Sequence, residues 1–355
     1  MKITDARLHN HHLVGNKFQT PIDAVDHLTA VQAQDYFAAS WSLGQRIQSA
    51  TENSINQTFN DGFILRMHIM RPTWHFVLPE DITWIQQLTS SQVKKLMGHY
   101  NKKLELTDEV FRKANKIIAN ELKSNYLTRQ ELKIKLSESG IQTDVQRLAH
   151  ILMWAELDCL ITSGPRIGKQ FTYSLFSKRV KNSKILGREQ GLAELALRYF
   201  QSHGPAQLKD FSWWSGLLIK DAEQGLDFAR SKLISKIVDG KTYWFSPDIK
   251  SLKITSPKTF LLSIFDEYII SYKDREDVSE EGYIEQMISM GNALLSVIVI
   301  DGKVVGSWKR TLKTSSVLVE LNLFRELTEP EMNSVQKAVD EYGAFLRLTA
   351  LKKFL

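Results

Sequence analysis

The sequence predicts an α+β chain in which three units, each of three helices and a β-hairpin, run in tandem into a C-terminal β-rich domain. Three observations carry that expectation. Capped segments of helical period recur in groups ahead of hairpin turn signals, Asp239-Gly240 being the strongest. From Leu252 the texture changes to short strands, with Asp301-Gly302 as a second tight turn. The 355 residues, 43% hydrophobic and 24% charged, suit a globular protein with more than one core.

The first unit is expected within residues 1–100. Thr20 is an N-cap with Pro21 at the first helical position, and Ile22, Val25, Leu28 and Val31 extend an apolar stripe, predicting a helix from Pro21 to Gln34. A segment through Leu43 follows, then a helix Ser54 to Asn60 and strands Phe63 to Ile69 and Thr73 to Leu78, joined at Met70-Arg71-Pro72. Gln32 and Gln34 would stand about 200° apart on a regular helix, so they serve one target only where the helix ends. A break near Gln34 is therefore expected.

The second unit, 101–187, reads as helices Thr107 to Lys123, Arg129 to Ser139 and from Asp144 through Ala155. Thr128 and Glu131 form a capping box, and strands Cys159 to Thr162 and Phe171 to Ser174 flank the basic loop Gly164 to Lys169. The third, 188–251, reads as helices Glu189 to Ser202, Pro205 to Leu217 and Asp221 to Leu233, with strands Ile234 to Val238 and Lys241 to Phe245. Three helices and a hairpin make a winged helix, so the chain reads as three tandem winged-helix modules. Residues 252–355 read as a β-barrel-like domain or strongly curled sheet, with strands at Thr259 to Ile264, Leu294 to Ile300, Lys303 to Lys309 and Ser316 to Leu323. A final helix, Glu329 to Leu348, closes it.

Charge points to an anionic partner. The net charge is +6, and Ser163 to Gln190 holds seven basic residues (Arg166, Lys169, Lys178, Arg179, Lys181, Lys184, Arg188) against Glu189 alone. Asp266 to Glu285 holds eight acidic residues against Lys273 and Arg275. In a winged helix the third helix enters the major groove while the wing reaches backbone or minor groove. Arg166 and Lys169 at the second wing, and Lys241 at the third, are placed for phosphate contact.

Several functions are excluded. One cysteine, Cys159 between Leu157 and Leu160, allows no internal disulfide and reads as a small buried hydrophobe. His9, His11 and His12 lack companion ligands, so no metal site is expected. No Walker or dinucleotide glycine motif points to a nucleotide cofactor, and no cofactor is expected. With no signal peptide and no apolar run long enough for a membrane, the chain reads as cytoplasmic.

Several segments, in order, resemble the winged-helix DNA glycosylases typified by AlkZ and YcaQ. They are Thr20-Pro21 with Val31-Gln32-Ala33-Gln34-Asp35, Arg71-Pro72-Thr73-Trp74-His75, His203-Gly204-Pro205-Ala206 through Asp210-Phe211-Ser212-Trp213-Trp214-Ser215-Gly216-Leu217, Phe265-Asp266-Glu267-Tyr268, and Asp301-Gly302 through Ser307-Trp308-Lys309-Arg310. The resemblance implies three winged helices around a C-terminal β-barrel, and excision of alkylated purines, in some members bulky adducts or crosslinks, from double-stranded DNA. Its glutamine-x-glutamine motif falls on Gln32 and Gln34, placing the chain nearer the AlkZ branch, and its threonine-apolar-histidine motif falls on Thr73, Trp74 and His75. Arg71, Lys309 and Arg310 join Arg166, Lys169 and Lys241 as expected DNA contacts. His75 would donate to a lesion-strand phosphate or orient water, with Thr73 fixing its rotamer.

Glutamines suit such chemistry. An N7- or N3-alkylated purine already carries positive charge and leaves without a strong acid, while a glutamine carbonyl accepts from the attacking water and its dipole steadies the sugar. Asp35 is a weaker alternative base. The chain is expected to act as a monomer, and a non-catalytic DNA-binding regulator is the alternative reading.

Overall fold

The computed structural model describes residues 2–248, 256–279, 283, 288–289 and 293–355; the expected boundary at 251/252 and part of the acidic stretch lie outside them. The chain is α+β. A short helix α1 (Ile3–Asn10) precedes α2 (Pro21–Leu28), β1 (Ala30–Gln32), α3 (Tyr36–Gly44), α4 (Glu52–Asp61), β2 (Leu65–His68) and β3 (Trp74–Val77). A long helix α5 (Pro79–Lys103) leads to α6 (Asp108–Glu121), β4 (Leu127–Thr128), α7 (Arg129–Glu138), α8 (Val145–Leu157), β5 (Ile161–Ser163), β6 (Thr172–Leu175) and α9 (Phe176–Arg179). Then come α10 (Arg188–Ser202), α11 (Leu208–Ser215), α12 (Ile219–Ala229), β7 (Ile234–Val238) and β8 (Lys241–Phe245). The C-terminal part holds β9 (Thr259–Leu262), α13 (Glu267–Ile270), β10 (Ile288–Ser289), β11 (Ala293–Leu294), β12 (Val297–Ile300), β13 (Lys303–Leu312), β14 (Ser316–Leu323), α14 (Glu329–Leu346) and β15 (Thr349–Phe354).

Among the described residues, three helices followed by an antiparallel hairpin thus occur three times, and local chemistry explains the ends. Thr20 and Asp23, Thr128 and Glu131, and Thr328 and Glu331 form reciprocal capping boxes. Asp239-Gly240 and Asp301-Gly302 turn with both residues at positive φ, as a two-residue hairpin demands.

Two expectations are corrected. The helix from Pro21 stops at Leu28, six residues before Gln34, because Thr29 takes φ 68 and the chain pairs as β1 against β3. Val31 is buried from a strand. Instead of a closed C-terminal barrel, five of the described strands form an open sheet ordered β15-β14-β13-β12-β9, and β10 pairs with β11 alone. Its parallel edge strand β15, like α1 and α5, goes beyond the elements expected from sequence.

The apolar cores cross the expected boundaries. Val25, Leu28, Val31 and Phe76 of the first unit share one cluster with Leu261, Val305, Val319, Val339 and Phe345. A second cluster joins Leu65, Met67 and Ile85 to Leu195, Phe211 and Trp214 of the third unit. The second unit encloses its own, from Phe111 to Tyr173.

Candidate active site

The sheet ordered β1-β3-β2 builds the site. Gln32 pairs in register with His75, and the Ala33 amide donates to the Trp74 carbonyl at 2.7 Å. Antiparallel register therefore puts Gln32 and His75 directly across from each other, on one face. Three segments reach this place through non-glycine residues at positive φ: Thr29 before β1, Met70 before Arg71, and Phe265 before Asp266-Glu267. Such backbone is costly and persists where surrounding contacts fix it. Gly216, at φ 71 behind α11, lets that helix end against the Met70 carbonyl, where a Cβ would come within 2.3 Å.

Arg71 is the hub. Its Nη2 donates to Gln32 Oε1 at 2.9 Å and to His75 Nε2 at 3.2 Å, while its Nε is buried without a partner. His75 is fully buried, and its Nδ1 donates to the Thr73 carbonyl at 3.0 Å. Burial first, then the Arg71 charge, lowers His75 to about 3, so the ring is neutral. Both ring nitrogens thus have partners within the chain. The Thr73 carbonyl, not its hydroxyl, orients the ring; the hydroxyl is buried and unpartnered.

Gln32 is 8% exposed, and its backbone N–H donates to Glu267 Oε1 at 2.6 Å. Gln34 is exposed, its Oε1 accepting from the Trp74 N–H at 3.3 Å. Arg66 grips the backbone between them, donating Nε to the Ala33 carbonyl at 2.8 Å and Nη2 to the Gln34 carbonyl at 3.3 Å. Asp35 caps α3, accepting from the Ala38 N–H at 2.9 Å. The helix break thus puts Gln34 at the surface and Gln32 just beneath it.

Glu267 is the positioning group that sequence reasoning left without a role. Its carboxylate also accepts from Trp214 Nε1 at 3.1 Å and from the Ser271 hydroxyl. Burial alone would raise it, but the facing His203 and the hydrogen bonds from Ser271 and Gln32 hold it at about 2. The signal was present in Phe265-Asp266-Glu267-Tyr268, where two carboxylates sit among apolar residues: Asp266 forms a fully buried fork with Arg46 at 2.7 and 2.9 Å. Glu156, on α8, braces the sheet from the other side, accepting from the His68 N–H at 2.7 Å and from Trp74 Nε1 at 3.4 Å.

The expected DNA contacts divide. Lys169 is exposed and lines an open cleft of about 400 Å³ with Arg66, Trp74, Arg129 and Phe171, beside Gln34. Lys309 is exposed as well, 3.8 Å from Glu320. Arg71 turns inward. Arg166 donates Nη1 to Asn56 Oδ1 at 2.8 Å and packs over the Tyr36, Phe37 and Phe171 rings, joining the second hairpin to the first unit. Lys241 is held by Asp274 at 2.8 Å and Glu276 at 2.6 Å, and Arg310 donates to the Tyr342 hydroxyl. Each of these four has partners within the chain.

Cys159 is half-buried and its thiol is pushed up to about 11 by burial, leaving it unreactive at neutral pH. Trp214 is core, whereas Trp213 is half-exposed and donates to the Ile270 carbonyl at 3.0 Å. His11 bonds Tyr272 Oη while His12 packs on Phe18, so the N-terminal histidines diverge. Among the described residues no cluster of three or more His, Cys, Asp or Glu could hold a metal, and no helix is long and apolar enough to cross a membrane.

Repeated helix-hairpin units on an α+β frame, with the exposed amide of Gln34 beside the buried amide of Gln32 in the first of them, define the class of protein. Comparison with known proteins makes this specific. Residues 25–345 match the AlkZ-like DNA glycosylase family, and the chain belongs to it. It is therefore an enzyme acting on N-glycosyl bonds of DNA, in DNA repair. It is 22% identical over 304 residues, 81% of each chain, to an interstrand DNA cross-link repair glycosylase of Streptomyces sahachiroi. The solved structure of the Streptomyces sahachiroi DNA glycosylase AlkZ superposes with a TM-score of 0.82 at 18% identity, covering 100% of this chain and 98% of that one, and shows the shared fold.

Proposed function

We propose that the chain is a monofunctional glycosylase that hydrolyses the N-glycosidic bond of purines made cationic by N7 or N3 alkylation in duplex DNA, with water positioned by Gln34. One observation carries the reading: the loop exposes the Gln34 amide, while the carboxyl beside it, Asp35, is engaged as the cap of α3. His75 is neutral and has no N–H to spare. Glu267 is ionised, buried and fully bonded. Nothing here protonates a neutral base, so the substrate must bring its own positive charge. Gln34 Oε1 keeps a lone pair for the water, which attacks C1′ while the bond pair leaves with the purine.

The helix-hairpin units act as winged helices, Lys169 and Lys309 supply phosphate contacts, and the enzyme works as a monomer. Because Gln34 is exposed, a lesion need not be enclosed, which suits large N7 adducts and the cross-links named for the Streptomyces sahachiroi relative. The test is base release from duplexes carrying a single 7-methylguanine or a single uracil. Release of the first and not the second supports the reading; equal release of both contradicts it.

A further inference from the structure

We propose that Arg71 is a positioning residue that fixes the polarity of the Gln32 amide, so that Gln32 presents its NH2 to the lesion and Gln34 alone accepts from water. The inference deepens the glycosylase reading above and rests on it. A guanidinium has five N–H donors and no acceptor, so the Gln32 atom 2.9 Å from Arg71 Nη2 is the carbonyl oxygen. Flipping the amide would set donor against donor and forfeit a charge-assisted hydrogen bond. Arg71 cannot turn away without a second loss, because the same Nη2 donates to His75 Nε2. That nitrogen stays an acceptor, since the ring proton is committed to the Thr73 carbonyl.

The two glutamines are therefore not equivalent. Gln32, 8% exposed and locked through its oxygen, has Nε2 as its remaining polar atom. The Gln34 side chain is exposed, its Oε1 meeting the weaker 3.3 Å contact from the Trp74 N–H. As the C1′–N9 bond breaks, its electron pair passes into the purine and cancels the positive charge, water oxygen bonds C1′, and the surplus proton goes to solvent. An amide donor is suited to the density arriving on the departing purine. A carbonyl in the same place would oppose it.

A double-mutant cycle on single-turnover release from duplex containing 7-methylguanine tests the idea. Arg71→Met is expected to slow release about tenfold, less than the hundredfold or more lost with a preorganised donor that itself faces the reacting atoms. Affinity for the same duplex should be unchanged, and Arg71→Lys should recover part of the rate. In a Gln32→Ala background, Arg71→Met should cost nothing further. Losses that multiply, or a loss of affinity in place of rate, would overturn the proposal by making Arg71 a separate structural or phosphate contact. Should Arg71→Met fail to fold, the same cycle run with Arg71→Lys decides it. Absence of release by the wild type would instead defeat the substrate reading itself.

Discussion

The first and second helix-hairpin units repeat one order of elements but are held together differently. The second closes its core from residues between Leu106 and Tyr173, with Phe111 and Trp154 stacked at 4.3 Å. The first leaves its core open and completes it with the C-terminal sheet and α14. Its loop is pinned from outside as well, by Glu267 on Gln32 and by Glu156 on Trp74. The self-sufficient unit is a brace; the dependent one carries the amides. Chemistry that needs side chains held to fractions of an ångström gains from being anchored on several elements at once.

Glu267 is where the dependence of the first unit on other elements is greatest. Glu267→Ala leaves three donors without their acceptor and is expected to cost about 3–5 kcal/mol in urea unfolding, the scale of breaking a buried charged contact. Base release should fall with it, because Gln32 loses its backbone anchor. Leu152→Ala, in the enclosed core of the second unit, should cost about 2–5 kcal/mol. It should nonetheless leave the release rate of the folded protein close to wild type. Equal damage to release from both variants would show that the units do not differ in the way described.

Acid should act on the first unit next. His75 sits at about 3 when folded and near 6.5 when unfolded, so between these values the unfolded chain binds the extra proton and stability declines as pH falls. Between pH 6.5 and 5 this contributes a loss of about 2 kcal/mol. A His75→Asn variant should show a shallower fall of melting temperature over the same interval. The smallest effect separates the exposed cation from the paired one. Lys169→Ala should reduce the salt slope of duplex binding by about 0.9, and Lys241→Ala, already neutralised by Asp274 and Glu276, should leave it unchanged.

What was legible in the sequence was what neighbouring residues decide. The N-cap at Thr20, the capping box at Thr128 and the turns at Asp239-Gly240 and Asp301-Gly302 are settled within four residues, and they fall where expected. The stop of α2 was not, because Val31 fits a helical stripe as well as a strand. The choice is made by β3, more than forty residues on. The same distance hid the true partners of the cations. Nothing near Arg71, Arg166 or Lys241 announces Gln32, Asn56 or Asp274. Glu267 lies 235 positions from the amide it holds, and no local pattern could have paired them.

In the proposed mechanism an exposed glutamine, not a carboxylate or an imidazole, directs the water. Single-turnover release of 7-methylguanine by Gln34→Ala measures it directly. A rate reduced about a hundredfold with duplex affinity retained is expected. Release at the wild-type rate would contradict it.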